Sequence, residues 1–251
     1  MKSGVYVSMV VDLDGTLIGK GQTVSARVLD AFVKLPDDLL VSIASGRPPD
    51  EVIAFAHQLG LGSPQICDGG ATIWDPQSER PIWRSTALPP THTQEIFATL
   101  DNLNLAFVAT HPGGSITSIA QVTDWNLTRI TAMELEERLA DELVTQFSNP
   151  DLDVVKMFLP ASGLWGVNFA CAGVNKGVAA IKLAQMMGIE LSRMIAVGDS
   201  YNDLPLLEVC GLRIAMGNAP EELKVVADFV APSVDEDGLA TAIEEFVLPR
   251  L

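Results

Sequence analysis

The sequence predicts an α/β fold built on a parallel sheet, with a smaller α+β domain inserted into it. Three observations carry this expectation. Strand-like apolar runs alternate with amphipathic helix patterns over the first third of the chain, as βαβ units require. The same rhythm returns after about residue 173. Between them the pattern changes to helix–strand–strand, twice over (αββαββ), which suits an antiparallel sheet with helices on one side. The expected boundaries are 1–85 and 173–251 for the split α/β domain and 86–172 for the insert.

The elements follow in order. Val5 to Val11 reads as a buried strand, and Ser25 to Leu35 as an amphipathic helix with Ser25 or Thr23 at its N-cap. Leu39 to Ala44 is a second strand, Asp50 to Leu59 a helix closed by Gly60, and Ile66 opens a strand region that Gly69 and Gly70 interrupt. The insert runs as helix Thr91–Leu100, strands Leu105–Thr110 and Ile116–Val122, helix Met133–Phe147, and strands Val154–Leu159 and Trp165–Ala170. Turns at His111-Pro-Gly-Gly and Pro160-Ala-Ser-Gly separate the strands of each pair. Beyond it, Lys176 to Met187 is a helix with Asn175 at its N-cap and Gly188 past its end. Strands Met194–Val197 and Leu212–Ala215 follow, then a capping-box-like start at Asn218-Ala-Pro-Glu221 for a helix to Val226, and a last helix from Asp237 to Phe246.

Composition narrows the classes. With 48% hydrophobic residues in 251, the chain can bury a substantial core. A net charge of −16 disfavours nucleic acid and anionic membrane as partners. It also repels anionic substrates unless a bound cation reverses the local sign. Cys67, Cys171 and Cys210 are far apart and show no CxxC or Cys/His spacing, so neither a disulfide framework nor a zinc site is indicated. The first apolar run leads straight into aspartates and reads as a strand, not a signal peptide, and no run reaches membrane-spanning length. The expectation is a cytoplasmic protein, a monomer or small homo-oligomer.

In open α/β sheets ligands bind beyond the carboxyl ends of the strands, and polar clusters sit at those places. Asp12 and Asp14, with Gly15 and Thr16, follow the first strand in VVDLDGTLIG; Ser45-Gly46-Arg47 follows the second. Asp199-Ser-Tyr-Asn202-Asp203 follows the Met194 strand, and Lys176 opens the preceding helix. Two residues apart, Asp12 and Asp14 would share a face on an ideal strand and repel. A cation in a helix's first turn opposes the helix dipole by about 0.3–1 kcal/mol, so Lys176 stands against local preference. Each group also has a plainer local reading: a turn after an edge strand, a strand end at Ser45, a solvated lysine, and an N-cap at Asp203 for a helix over Leu204–Val209.

Together the clusters resemble the haloacid dehalogenase superfamily. DLDGT resembles its DxDGT motif, Ser45 in ASGR its second-motif Ser/Thr, Lys176 in GVNKG its third-motif lysine, and GDSYND its GDxxND motif. The tail AMGNAPEELKVVADFVAPSVDEDGLATAIEEF is similar to that of the Cof-type, class IIB branch, whose αββ-based cap lies between motifs two and three. The resemblance implies a Rossmann-like core carrying a cap, and a Mg²⁺-dependent phosphatase. It makes Asp12 the nucleophile that forms an aspartyl-phosphate and Asp14 the acid and base. Asp12, Asp14 (through its carbonyl) and Asp199 become the metal ligands. Ser45 and Gly46 would hold phosphate with Lys176, while Thr16, Arg47, Asn202 and Asp203 support the site. One departure is Asp68-Gly69-Gly70, where the family commonly has Asn-Gly-Ala/Gly.

Small caps of this kind resemble those of phosphoglycolate, sucrose-phosphate and mannosyl-phosphoglycerate phosphatases, so the expected partner is a small phosphorylated metabolite, foremost a sugar phosphate. His111, Ser115, Thr117, Arg129 and Lys156 are the cap candidates for substrate contact. A phosphomutase shares the nucleophile motif and cap class, although GDSYNDLPLL and MGNAPEELK resemble the phosphatases more. Asp14 speaks against a dehalogenase, which needs no acid there. A sugar-phosphate-binding regulator without turnover is the non-enzymatic alternative, against which stands the presence of nucleophile, acid and lysine together.

Overall fold

The computed structural model describes residues 6–111, 114–159 and 162–251. Val5 of the first expected strand, and Pro112, Gly113, Pro160 and Ala161 of the two expected turns, lie outside the described residues. The chain forms two compact units, Met1–Trp83 with Asn175–Leu251, and Arg84–Val174.

The chain begins with β1 (Ser8–Asp12), α1 (Ala26–Val33), β2 (Leu40–Ala44), α2 (Pro49–Gln58), β3 (Gln65–Cys67), β4 (Thr72–Asp75) and β5 (Arg80–Arg84). It continues with α3 (Pro90–Asn102), β6 (Phe107–His111), β7 (Gly114–Ile116), β8 (Arg129–Leu135), α4 (Glu137–Gln146), β9 (Leu152–Leu159) and β10 (Leu164–Cys171). It closes with α5 (Lys176–Met187), β11 (Met194–Gly198), α6 (Leu204–Val209), β12 (Leu212–Ala215), α7 (Glu221–Val226), β13 (Phe229–Val230) and α8 (Gly238–Thr241).

The first unit holds one sheet in the order β13-β12-β11-β1-β2-β3-β4-β5. From β13 to β3 every neighbouring pair is parallel. β1 is buried along its whole length because it pairs with β2 on one side and β11 on the other, which is why it reads as a continuous apolar run. Alternate residues feed opposite layers: Met9 and Val11 join the cluster containing Val28 and Ile243, while Val10 joins the one containing Ala180 and Leu206. Ser25 caps α1 by accepting from Val28 N at 3.2 Å, and Asn175 caps α5 by accepting from Val178 N at 3.0 Å. The chain leaves β1 toward β2 and returns to its other side at β11. The sheet therefore changes direction between β1 and β11, where such folds open a crevice beyond the strand ends.

Three features depart from the sequence reading. β4 pairs antiparallel with β3, and β5 extends the edge, where only an interrupted strand region was expected. The reversal is made at Asp68, Gly69 and Gly70, whose φ values are 54°, 65° and 105°. Aspartate shares asparagine's tolerance of this left-handed region, so Asp68 meets the backbone demand of that position. The helix at Glu221 has Pro220 at its N-cap with no side-chain cap, because the Asn218 amide is engaged elsewhere. The last expected helix is α8 followed by a wider π-helical stretch over Ala242–Val247, which brings Phe246 to stack on Phe229 at 4.3 Å.

The second unit is a five-stranded sheet in the order β7-β6-β8-β10-β9, with α3 and α4. The long partner of β6 is β8, not the expected Ile116–Val122. Ile116 ends the short β7, and the chain turns at Ile119–Gln121 under a capping box between Ser118 and Gln121. The RITAMEL sequence of β8 alternates strictly at its start. Ile130 and Ala132 enter the core with Val167 and Phe169, while Arg129 and Thr131 lie on the opposite face. Glu136 is the N-cap of α4, so Met133 and Leu135, expected in the helix, belong to the strand. The unit thus has αββαββ order plus one short strand. Among the described residues no helix is long and apolar enough to cross a membrane.

Phe169 is fully buried and meets the Phe147 ring edge-on at 5.2 Å. Phe169→Ala is expected to destabilise the second unit by about 3–5 kcal/mol, read as a lower urea midpoint with unchanged slope.

Candidate active site

Asp12 is the last residue of β1, where the buried strand delivers a carboxylate to the crevice. Lys176, the first residue of α5, is only 1% exposed and reaches Asp12 Oδ1 at 2.5 Å. The same ammonium donates to Asp203 Oδ1 at 2.6 Å, and Asp203 is 0% exposed. Asp203 Oδ2 in turn accepts from the backbone amides of Asp199 and Ser200, each at 3.0 Å. Both Asp203 oxygens are therefore spent on a lysine and a turn. Asn202 accepts from Ser200 Oγ at 2.7 Å and closes the same turn.

Asp14 does not continue the strand. β1 ends at Asp12, Leu13 turns into the core, and Gly15 takes a φ of 89°. The expectation that Asp12 and Asp14 share a strand face is corrected: the strand ends at Asp12, and each carboxylate pairs with its own cation. Asp14 is gripped in a two-pronged bond by Arg47, Nε to Oδ2 at 2.9 Å and Nη2 to Oδ1 at 2.6 Å. Arg47 is itself steadied by Glu51 at 2.9 Å and by Gln22, and its guanidinium lies 5.9 Å from the Phe55 ring centroid. Ser45, buried just past β2, accepts from Arg47 N at 3.1 Å. Its neighbour Gly46 completes that turn beyond the strand end.

Asp199 stands just past β11, and Thr16 Oγ1 donates to its Oδ1 at 3.3 Å. A Cβ built on Gly15 would fall 2.1 Å from Asp199 Oδ2, so only glycine lets the Asp14 turn pass this carboxylate. Carboxylate oxygens of Asp12, Asp199 and Asp203 all lie within 4.8 Å of one another. Because Asp203 is committed to Lys176 and two amides, Asp12 and Asp199 are the two carboxylates of the group that could hold a cation. An all-oxygen donor set with excess negative charge fits a hard divalent ion such as Mg²⁺.

The charges shape one another. Burial first, and Asp203 next, push the Asp12 carboxyl up to about 7 against the pull of Lys176. Burial, followed by Asp12 and Asp203, raises Asp199 well above the usual carboxylate range. Burial opposes the Lys176 charge, but its two carboxylates outweigh it and hold the ammonium above its ordinary value. Two crowded acidic groups with raised pKa values and one permanent cation describe a site short of positive charge.

The structure thus brings Asp12, Asp14, Thr16, Ser45, Arg47, Lys176, Asp199, Asn202 and Asp203 to the strand ends of one sheet. Two of the cap candidates, Arg129 and Lys156, lie on opposite faces of the second sheet. Arg129 donates through Nε to Thr131 at 3.0 Å and also bonds Asn168, on one face of the second sheet. Lys156 lies on the opposite face, bonded to Asp141 at 2.5 Å and 4.5 Å from the Trp165 ring centroid. His111 ends β6, Ser115 lies in β7, and Thr117 donates its amide to Gln121 at 3.0 Å. Sequence reading missed Asn218, which follows β12 as Asp199 follows β11 and donates to Asp199 Oδ2 at 2.9 Å. The rule that found the aspartates, a polar residue beyond a strand's carboxyl end, applies to it equally.

Lys176→Met leaves two buried carboxylates uncompensated, and is expected to cost about 3–5 kcal/mol at pH 8 in urea unfolding with EDTA present. The Lys176 charge pulls the Asp12 carboxyl down, so its loss raises that carboxyl further; the variant takes up a proton at higher pH than the wild type, and the deficit should shrink as pH falls from 8 toward 5.

Comparison with known proteins agrees on one family. A family model described as haloacid dehalogenase-like hydrolase matches residues 9–160 and 140–243. A 5-amino-6-(5-phospho-D-ribitylamino)uracil phosphatase of Bacillus subtilis is 30% identical over 281 residues, 95% of this chain and 97% of that one. A phosphoglycolate phosphatase of Methanosarcina mazei is 26% identical over 239 residues, 95% and 96% of the two chains. The solved structure of a haloacid dehalogenase subclass IIB sugar phosphatase aligns with a TM-score of 0.80 at 20% identity, over 95% of this chain and 98% of that one.

Proposed function

The chain belongs to the haloacid dehalogenase-like hydrolase family, and we propose that it is a Mg²⁺-dependent phosphomonoesterase for a small phosphorylated metabolite, foremost a sugar phosphate. The observation that carries this reading is the buried Asp12–Lys176–Asp203 chain with Asp199 beside it, all at the sheet's reversal point. The named activities of the relatives, on phosphoribityl, phosphoglycolate and sugar phosphate esters, support the substrate class.

The chemistry follows from what each side chain can do. Asp12 attacks phosphorus through a carboxylate oxygen, forming a P–O bond as the ester oxygen of the leaving alcohol departs. Asp14 gives that oxygen a proton, and Arg47 sets the direction in which its carboxyl points. Lys176 offsets negative charge on Asp12 and on the transferring group, while Asp203 holds the lysine in place. Ser45 and the amides of its turn offer hydrogen bonds to phosphate oxygens. Asp12, Asp199 and the Asp14 carbonyl would hold Mg²⁺, which would supply the positive charge that lets an anionic nucleophile approach an anionic phosphate. Asp14, now a base, takes a proton from water, which cleaves the aspartyl-phosphate and regenerates Asp12.

A panel of sugar phosphates, phosphoglycolate, glycosyl-phosphoglycerates and 5-amino-6-(5-phospho-D-ribitylamino)uracil, with and without EDTA, tests the proposal. Inorganic phosphate should appear only with Mg²⁺. Asp12→Asn should lower turnover by at least about 1000-fold, and Asp14→Asn by about 100- to 10,000-fold. Because the Asp12 carboxyl lies at about 7, protons compete with the cation, and the Mg²⁺ needed for half-maximal turnover should rise as pH falls below 7. Metal-independent hydrolysis, full activity in Asp12→Asn, or an isomerised sugar phosphate in place of free phosphate would sink this reading.

A further inference from the structure

Asn218 is absorbed by none of the roles above, yet its side chain joins three separate segments. Nδ2 donates to the Gly15 carbonyl at 3.0 Å and to Asp199 Oδ2 at 2.9 Å, and Oδ1 accepts from Val234 N at 3.0 Å. The two ends of the amide are not interchangeable here. Turned over, its oxygen would face two acceptors and its NH₂ would face a backbone N–H.

The two groups that receive its protons are already in contact, because the Gly15 turn packs directly against the Asp199 carboxylate. Thr16 holds the other oxygen of that carboxylate. Asp199 is therefore fixed from both sides, by a hydroxyl at Oδ1 and an amide at Oδ2. A carboxylate so held keeps one orientation toward Asp12, although the charge on Asp12 would drive it away. The Gly15 bond carries the same restraint back to the turn that follows Asp14.

We infer that Asn218 is a positioning residue whose two amide protons lock the Asp199 carboxylate and the Gly15 turn in the arrangement that receives a divalent cation beside Asp12. The inference rests on the metal-dependent reading of this site. Neutral and outside the charge relay, Asn218 acts through Asp199 and touches neither nucleophile nor acid. Its loss should weaken cation binding and slow turnover while leaving substrate affinity in place.

The test uses the full chain and MgCl₂ alone, following the rise in melting temperature with Mg²⁺ in the absence of substrate, and separately kcat and KM. Wild-type protein that no Mg²⁺ concentration stabilises overturns the reading of the site itself, independently of Asn218. Asn218→Asp keeps an acceptor for Val234 but sets a carboxylate against Asp199 and the Gly15 carbonyl; Asn218→Ala removes every bond. Both are expected to raise the MgCl₂ concentration for half-maximal stabilisation by about 10- to 100-fold, with kcat lowered at fixed Mg²⁺ and KM moved less than about twofold. A merely structural peg predicts a lower melting temperature in EDTA with the Mg²⁺ midpoint unmoved. That result, unchanged or tighter Mg²⁺ binding in Asn218→Asp, or failure of Asn218→Asp to fold in EDTA overturns the inference.

Discussion

A single ammonium group, that of Lys176, lets the centre of this protein exist. Without it, Asp12 and Asp203 would be two carboxylates in a place that water does not reach, and burying each charge costs several kcal/mol. With it, the strand end, the α5 start and the turn before α6 are drawn to one point. The lysine does not neutralise the site. Asp199 remains beside Asp12, and burial together with the neighbouring carboxylates raises the pKa of both. One cation is spent on two anions and a third is left beside them, an arrangement compatible with the divalent ion of the proposed function.

The distribution of the other cations follows the same logic. Arg47 goes to Asp14, the carboxyl proposed to exchange a proton, and is itself shared with Glu51. Its planar fork fixes the direction of that carboxyl better than a lysine could. Two aspartates with one residue between them thus live in different electrostatic settings, one against a buried ammonium and one against a partly buried guanidinium. Such a separation of environments suits the nucleophile and acid roles proposed for two carboxylates in one short segment.

Much of this was legible in the residues, and the failures have physical causes. β1, β2 and β11 are continuous apolar runs because parallel strands are buried on both faces, and the polar residues at their ends stand out against that background. β8 was not legible, since its strictly alternating part is short and its end merges into residues of good helix propensity. The β4–β5 edge was hidden by the Gly69-Gly70 reversal, which reads as an interruption and not as a turn. Asn218 was hidden for another reason: Asn-x-x-Glu is also a helix-start pattern, and sequence cannot tell whether an amide caps its own helix or reaches across to a carboxylate.

The insertion of the second unit between β5 and α5 also sets when the catalytic centre can come into being. Asp12 and Lys176 are separated by 164 positions, and β1 pairs on one side with β11, which is made later still. During synthesis at about 5–20 residues per second, that flank of β1 waits roughly 8–33 s for the lysine alone. The second unit has its own apolar core and emerges whole within that interval. The nascent chain therefore carries a bare strand edge and an unmatched aspartate while its middle is already able to condense.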